Sequence, residues 1–216
     1  SHSMSSITQK SPNRIILICS IAVLPFLCYS HTLQNQFTNW DDNVYVKDNA
    51  WIKNLSADNL KVVLFHNITN NYYHPVTMLS LAINYAISRM QPFGYYITNV
   101  SIHMVNTILM FFLVLFLLEA MEENGYPKMQ GKEWLAALGA LLFGVHPMHV
   151  ESVSWLAERK DELYGLFYFS GMITYLKYIR VRKTKWIIYT VVLFLLSLLS
   201  KPLAVVFPLS LFAIDI

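Results

Sequence analysis

The sequence predicts an all-α fold, a polytopic membrane helix bundle of about six spans whose large first extracytoplasmic loop carries short interfacial helices. Three observations predict it. Of the 216 residues, 55% are hydrophobic and only 13% charged, about half the charged share of a soluble domain, and the mean hydropathy is +0.41. The apolar residues gather into runs approaching membrane-helix length, separated by polar stretches. The basic residues flank those runs, as they do at cytoplasmic borders. With a net charge of only +3, this placement argues against a polyanion-binding face, and no nucleic-acid partner is expected.

Residues 1–11 read as a cytoplasmic tail whose Ser1-His2-Ser3-Met4 is a leftover of recombinant expression, and 12–216 as a single transmembrane domain. The first span is the apolar run Ile15 to Ser30, preceded by Lys10 and Arg14. Reaching the ~20 residues of a spanning helix requires a start near Pro12 or Asn13. No small-residue cleavage pattern follows, so a retained helix is favoured over a signal peptide. Cys19 and Cys28 both fall inside this run, where neither a disulfide framework nor metal-ligand spacing is plausible, and they read as packing residues.

Residues 31–92 are rich in Asn, Asp, Tyr and His and form the first outer loop. Within it Ser56 is placed to cap a helix carrying Leu60, Val63 and Leu64, and Val76, Leu79, Ile83, Ile87 and Met90 recur at helical spacing. Such helices lie along a membrane interface. The second span, Phe93 to Leu118, is apolar except for Asn99, His103 and Asn106, whose i, i+4, i+7 spacing puts them on one face. That stripe must face protein or a watered cavity, and interhelical hydrogen bonding is its simplest use. A charged loop to Glu133 leads to the short run Trp134 to Val145, a third span of only ~18 Å. The fourth, Leu163 to Ile179, ends in the basic loop 177–185, which the positive-inside rule places in the cytoplasm. The fifth is Trp186 to Ser200, and the sixth starts at Lys201-Pro202. Counting outward, the N-terminus is cytoplasmic, while 31–92, His146 to Asp161 and Lys201 share the opposite face.

Three groups on that face could carry chemistry. Asp41-Asp42 are adjacent carboxylates, and mutual repulsion suits one of them to general-base work; an Asx-type loop turn is the plain alternative. His146, His149 and Glu151 could hold a divalent metal, but their spacing matches no zinc-peptidase pattern, so no metal is assigned. Arg159 and Lys160, with Lys201, could hold a phosphate, although an interfacial lysine also snorkels to headgroups.

Asn39-Trp40-Asp41-Asp42-Asn43-Val44-Tyr45-Val46, His74-Pro75-Val76-Thr77, Thr98-Asn99 with His103 and Asn106-Thr107, the run His146 to Asp161, and Ser200-Lys201-Pro202 together have a family likeness. In order and spacing they resemble the membrane portion of the transmembrane-and-tetratricopeptide-repeat proteins and their bacterial relatives, of the GT-C glycosyltransferase superfamily. The resemblance implies a GT-C-like N-terminal half that transfers a sugar, mannose in the animal relatives, from a polyprenyl-phosphate donor to protein hydroxyls. It implies that Asp41 or Asp42 is the catalytic base, in an integral protein of the bacterial inner membrane or endoplasmic reticulum, active on the periplasmic or luminal side. Arg159, Lys160 and Lys201 are the candidates for the leaving phosphate, and His74, His146, His149, Glu151, Asn99 and His103 for shaping the cavity. The chain departs from that family in having only about six spans and no ~34-residue helical repeat. A non-catalytic membrane anchoring or assembly module is the alternative. A transporter using Asn99, His103 and Asn106 is disfavoured, because no acidic residue interrupts the middle of a span and no inverted repeat is visible.

Overall fold

A computed structural model describes residues 14–69 and 73–215; the expected tail, and the expected start of the first span near Pro12, lie outside them. Among the described residues the regular structure is helical, with no strand. Helix α1 (Arg14–Tyr29) continues through a 3-10 turn to Gln34. The segment after it then forms a π-helical turn at Asn43–Lys47, a 3-10 turn at Ala50–Ile52, α2 (Ala57–Phe65) and α3 (Pro75–Ser88). Next come α4 (Pro92–Glu123), α5 (Lys132–Gly144), the short α6 (Val150–Ser154), α7 (Arg159–Val181), α8 (Thr184–Ser200) and α9 (Phe207–Asp215).

Ser56 caps α2 as its sequence position predicts, its Oγ accepting the Asn59 N–H at 3.3 Å. In α3 the outcome differs from a simple core-facing stripe. Ile83, Ile87 and Met90 are exposed, while Thr77, Met78, Leu81 and Asn84 are buried. In lipid surroundings an apolar stripe has no reason to turn inward, whereas polar groups do. Cys19 and Cys28 are likewise exposed rather than packed.

Two stretches, Arg14–Gln34 and Pro92–Glu123, are long and apolar enough to cross a membrane. The other expected spans do not meet that measure: α5 has 13 residues, α8 has 17, and α7 opens on Arg159-Lys160-Asp161-Glu162. α8 nonetheless exposes Ile188, Val191, Val192 and Leu195, an apolar face that in water would be an aggregation surface. A membrane-associated chain covers it with lipid.

Helix α4 is the axis against which α1, α5 and α7 pack. Close approach needs small residues: a Cβ on Gly144 would lie 2.7 Å from Pro25 and Thr107, and one on Gly171 2.8 Å from Phe207. Polar segments collect at the two ends of this bundle. At one end Arg14 binds Glu133, Lys132 binds Glu122, and Arg180 binds Glu119 and Glu123. At the other, a core of Tyr45, Val46, Ile52, Val63, Met78, Leu81, Tyr95, Tyr96, Leu156 and Ala157 locks the segment between α1 and α4 onto the start of α4 and the turn before α7.

Candidate active site

The two adjacent aspartates have different surroundings. Asp42 is fully buried; its Oδ2 accepts the Thr38 N–H at 2.9 Å and its Oδ1 the Ala157 N–H at 3.2 Å. It therefore pins the start of the segment between α1 and α4 to the 155–158 turn. Asp41 is partly exposed and forms no hydrogen bond among the described residues; its field reaches the Tyr45 ring one helical turn on. Beside it, Trp40 projects into solvent, 76% exposed, with its ring 6.2 Å from Trp155.

Tyr45 links the pair to other predicted residues. His74 stacks on it with ring centroids 5.2 Å apart, and the Lys160 ammonium lies 5.3 Å from its ring centre on the way to Glu158, 2.9 Å away. Burial, reinforced by the Lys160 charge, pulls His74 down to about 4, so its ring is neutral at physiological pH. Both of its nitrogens are buried, and neither has a hydrogen-bond partner among the described residues. Burial likewise raises Glu158 above the usual carboxyl range.

Arg159 turns the other way. It is completely buried, donating from Nε to Asn99 Oδ1 at 2.8 Å, from one terminal nitrogen to the Tyr95 carbonyl at 2.8 Å and from the other to Ser80 Oγ at 3.4 Å. Among the described residues its partners are uncharged. The guanidinium is a tie between α3, α4 and α7. The stripe on α4 continues that tie. Asn99 donates to the Trp155 carbonyl, His103 faces Glu162 through Nδ1 at 3.1 Å and the Gly144 carbonyl through Nε2 at 2.9 Å, and Asn106 donates to the Glu162 carboxylate at 2.8 Å. All three residues thus serve interhelical hydrogen bonding.

Lys201 pairs with Asp161, which also accepts the Ser152 hydroxyl at 3.3 Å. These residues line a cavity of about 170 Å³ with Asn106, Phe143, His149, Glu162, Tyr164, Gly165, Phe169 and Leu203. Asp41, Asp42 and Arg159 do not line it. His149 packs between His103 and Phe143, and burial, aided by the charge of His103, lowers its proton affinity. His146 is exposed, its Nδ1 accepting the Met148 N–H, and Glu151 is exposed at the start of α6. Among the described residues no three or more His, Cys, Asp or Glu side chains are placed to hold a metal ion.

Tyr45, Glu158, Asp161 and Glu162 were not singled out as site residues by sequence. Tyr45 stands four residues after Asp41, one turn of helix, and that spacing was a usable signal. Glu162 carried none, because only packing shows that it closes onto His103 and Asn106.

Fold and site define a helical, membrane-associated chain with a folded polar face at one end of its bundle. No protein-family model and no solved structure matches it. Curated relatives do. The chain is 29% identical over 195 residues to "Protein O-mannosyl-transferase Tmtc1" of Drosophila melanogaster, covering 87% of this chain and 21% of that protein. It is 28% identical over 168 residues to "Protein O-mannosyl-transferase tmtc2" of Xenopus laevis, covering 74% and 18%. It is 27% identical over 206 residues to "Protein O-mannosyl-transferase TMTC4" of Homo sapiens, covering 86% and 27%. The chain therefore spans about a fifth to a quarter of the length of these relatives.

Proposed function

We propose that the chain is the acceptor-activating part of a membrane O-mannosyl-transferase related to the transmembrane-and-tetratricopeptide-repeat proteins of the GT-C superfamily. In this reading α1, α4, α5, α7, α8 and α9 are its six membrane segments, the N-terminus and 177–185 are cytoplasmic, and the Asp41 end is periplasmic or luminal, in a bacterial inner membrane or the endoplasmic reticulum. The donor is a polyprenyl-phosphate mannose and the acceptor a protein hydroxyl.

The observation that carries the reading is the division of labour between Asp41 and Asp42. A base must have a lone pair free for the acceptor. Both oxygens of fully buried Asp42 take backbone N–H bonds, while Asp41 is partly exposed and forms no hydrogen bond among the described residues. Asp41 therefore accepts the proton of the serine or threonine hydroxyl as its oxygen attacks the anomeric carbon. The carbon–oxygen bond to the lipid phosphate breaks, and the phosphate leaves with the electron pair. Lys160 and Lys201, the two candidate cations that remain near the surface, offset its growing charge, which supports the transition state more than the ground state. Arg159 acts through them, by fixing the start of α7. Asp41→Asn in the full chain is expected to lower mannosyl transfer by about 10²–10⁴-fold while membrane insertion persists. Transfer at the parental rate would sink the assignment.

The non-catalytic module keeps one supporting observation. The stripe of α4 and Asp42 are both consumed in structural bonds. It expects Asp41→Asn to change nothing. The same bonds occupy the groups that a transporter path would need.

A further inference from the structure

Helices α4 and α7 end side by side, at the opposite end of α4 from Asp41, where Arg180 binds Glu119 at 3.3 Å and Glu123 at 2.9 Å. Between them and the end of α9 is a cavity of about 350 Å³, within the ~300–1,000 Å³ range of small-molecule sites. Phe116, Leu176, Ile179 and Ile214 give it apolar walls, while Arg180 and Arg182 bring positive charge.

The acids nearby do not match the cations. Arg180 takes both Glu119 and Glu123, and Asp215 accepts the Tyr175 hydroxyl. Among the described residues Lys177, Arg182, Lys183 and Lys185 form no ion pair. Lys177 and Lys185 lie over the Trp186 ring, 4.9 and 5.2 Å from its centre, and Arg182 lies 5.6 Å from the centre of the Tyr178 ring. Arg182 is exposed and has a left-handed φ of 52°. Glycine adopts that conformation at less cost, so the turn is weakened to keep a charged side chain at the cavity.

The surroundings suit an amphiphile better than a free anion. Trp186 and Tyr189 stand with ring centroids 5.8 Å apart, and such aromatic residues sit at headgroup level. From there the exposed Ile188, Val191, Val192 and Leu195 continue along α8. A soluble phosphate would use the cations and leave this apolar face bare. Basic pockets between helices at a membrane border recognise acidic headgroups.

We propose that this cavity seats the headgroup of an anionic phospholipid, with its phosphodiester on Arg182, attraction from Lys183 and Lys185, and acyl chains on the apolar walls and the face of α8. The inference needs only the membrane association of the chain, and none of the transfer chemistry at Asp41.

The test uses the full chain in detergent micelles, offered equal amounts of phosphatidylglycerol and phosphatidylcholine with matched acyl chains, and native mass spectrometry to count the lipid retained. Phosphatidylglycerol is expected to be retained in preference. Arg182→Gly suits the left-handed turn and is expected to cut the preference about fivefold, and the triple change with Lys183→Gln and Lys185→Gln to cut it further. Ala120→Phe fills the cavity from α4 and is expected to lower it in the same way, while Asp41→Asn is expected to leave it intact. Equal retention of the two lipids would overturn the proposal, as would a parental preference in the triple variant or in Ala120→Phe. Displacement by glycerol 3-phosphate as effective as by phosphatidylglycerol would assign the site to a free phosphate and overturn it equally.

Discussion

The buried carboxylate of Asp42 accepts the main-chain N–H of Ala157, 115 residues further along the chain, at 3.2 Å, while its second oxygen takes the N–H of Thr38. This one side chain closes the segment between α1 and α4 onto the turn that starts α7. Asp42→Ala leaves the buried Ala157 N–H unmet, at about 1–3 kcal/mol, and also loses the bond from the more exposed Thr38 N–H, whereas Asp42→Asn can still satisfy one of them. The expected order of melting temperatures is parent, then Asn, then Ala. Equal melting temperatures for all three would show that the clamp contributes nothing.

Arg159 should behave as a structural residue before it behaves as a binding one. Lysine cannot present the planar fork that reaches both Asn99 and the Tyr95 carbonyl. Arg159→Lys is expected to lose about 2–3 kcal/mol of stability. A parental melting temperature combined with weakened donor binding would instead put the guanidinium on the phosphate.

His103 and Glu162 form a buried pair, 1% and 3% exposed. Removing either partner strands the other, at about 3–5 kcal/mol. The double change His103→Leu with Glu162→Leu should cost well under the sum of the single ones. Additive effects in a double-mutant cycle would mean that the two side chains are not coupled.

His74 sets an acid limit. Its folded-state value of about 4 lies below the ordinary 6.5, so the unfolded chain takes up a proton first. Its contribution to stability is complete above pH 6.5 and is lost as pH falls toward 4, up to about 3 kcal/mol in all. His74→Phe keeps the stack on Tyr45 and removes the titration. Melting temperatures measured from pH 7 to 4 should fall more steeply for the parent than for this variant; parallel curves would exclude His74 as the cause.

The phosphate cations have their own test. Lys160→Ala and Lys201→Ala are expected to lower kcat with a polyprenyl-phosphate donor, with membrane insertion unchanged. An unaltered kcat in both would remove them from the leaving phosphate.

Sequence by itself determined the helical, membrane-associated class, because composition and the lengths of apolar runs report directly on what solvent the chain requires. It also determined the positions of the cap at Ser56, the shared face of Asn99, His103 and Asn106, and the likeness around Asp41-Asp42, since each depends on local spacing. What it left even was the choice between the two aspartates and among the three cations. Those choices turn on contacts made across the chain: Asp42 to Ala157, Arg159 to Asn99 and Tyr95, Lys201 to Asp161, Asn106 to Glu162. Adjacent residues of the same type carry the same local signal. Only tertiary packing decides which is desolvated and bonded, and which keeps a free lone pair.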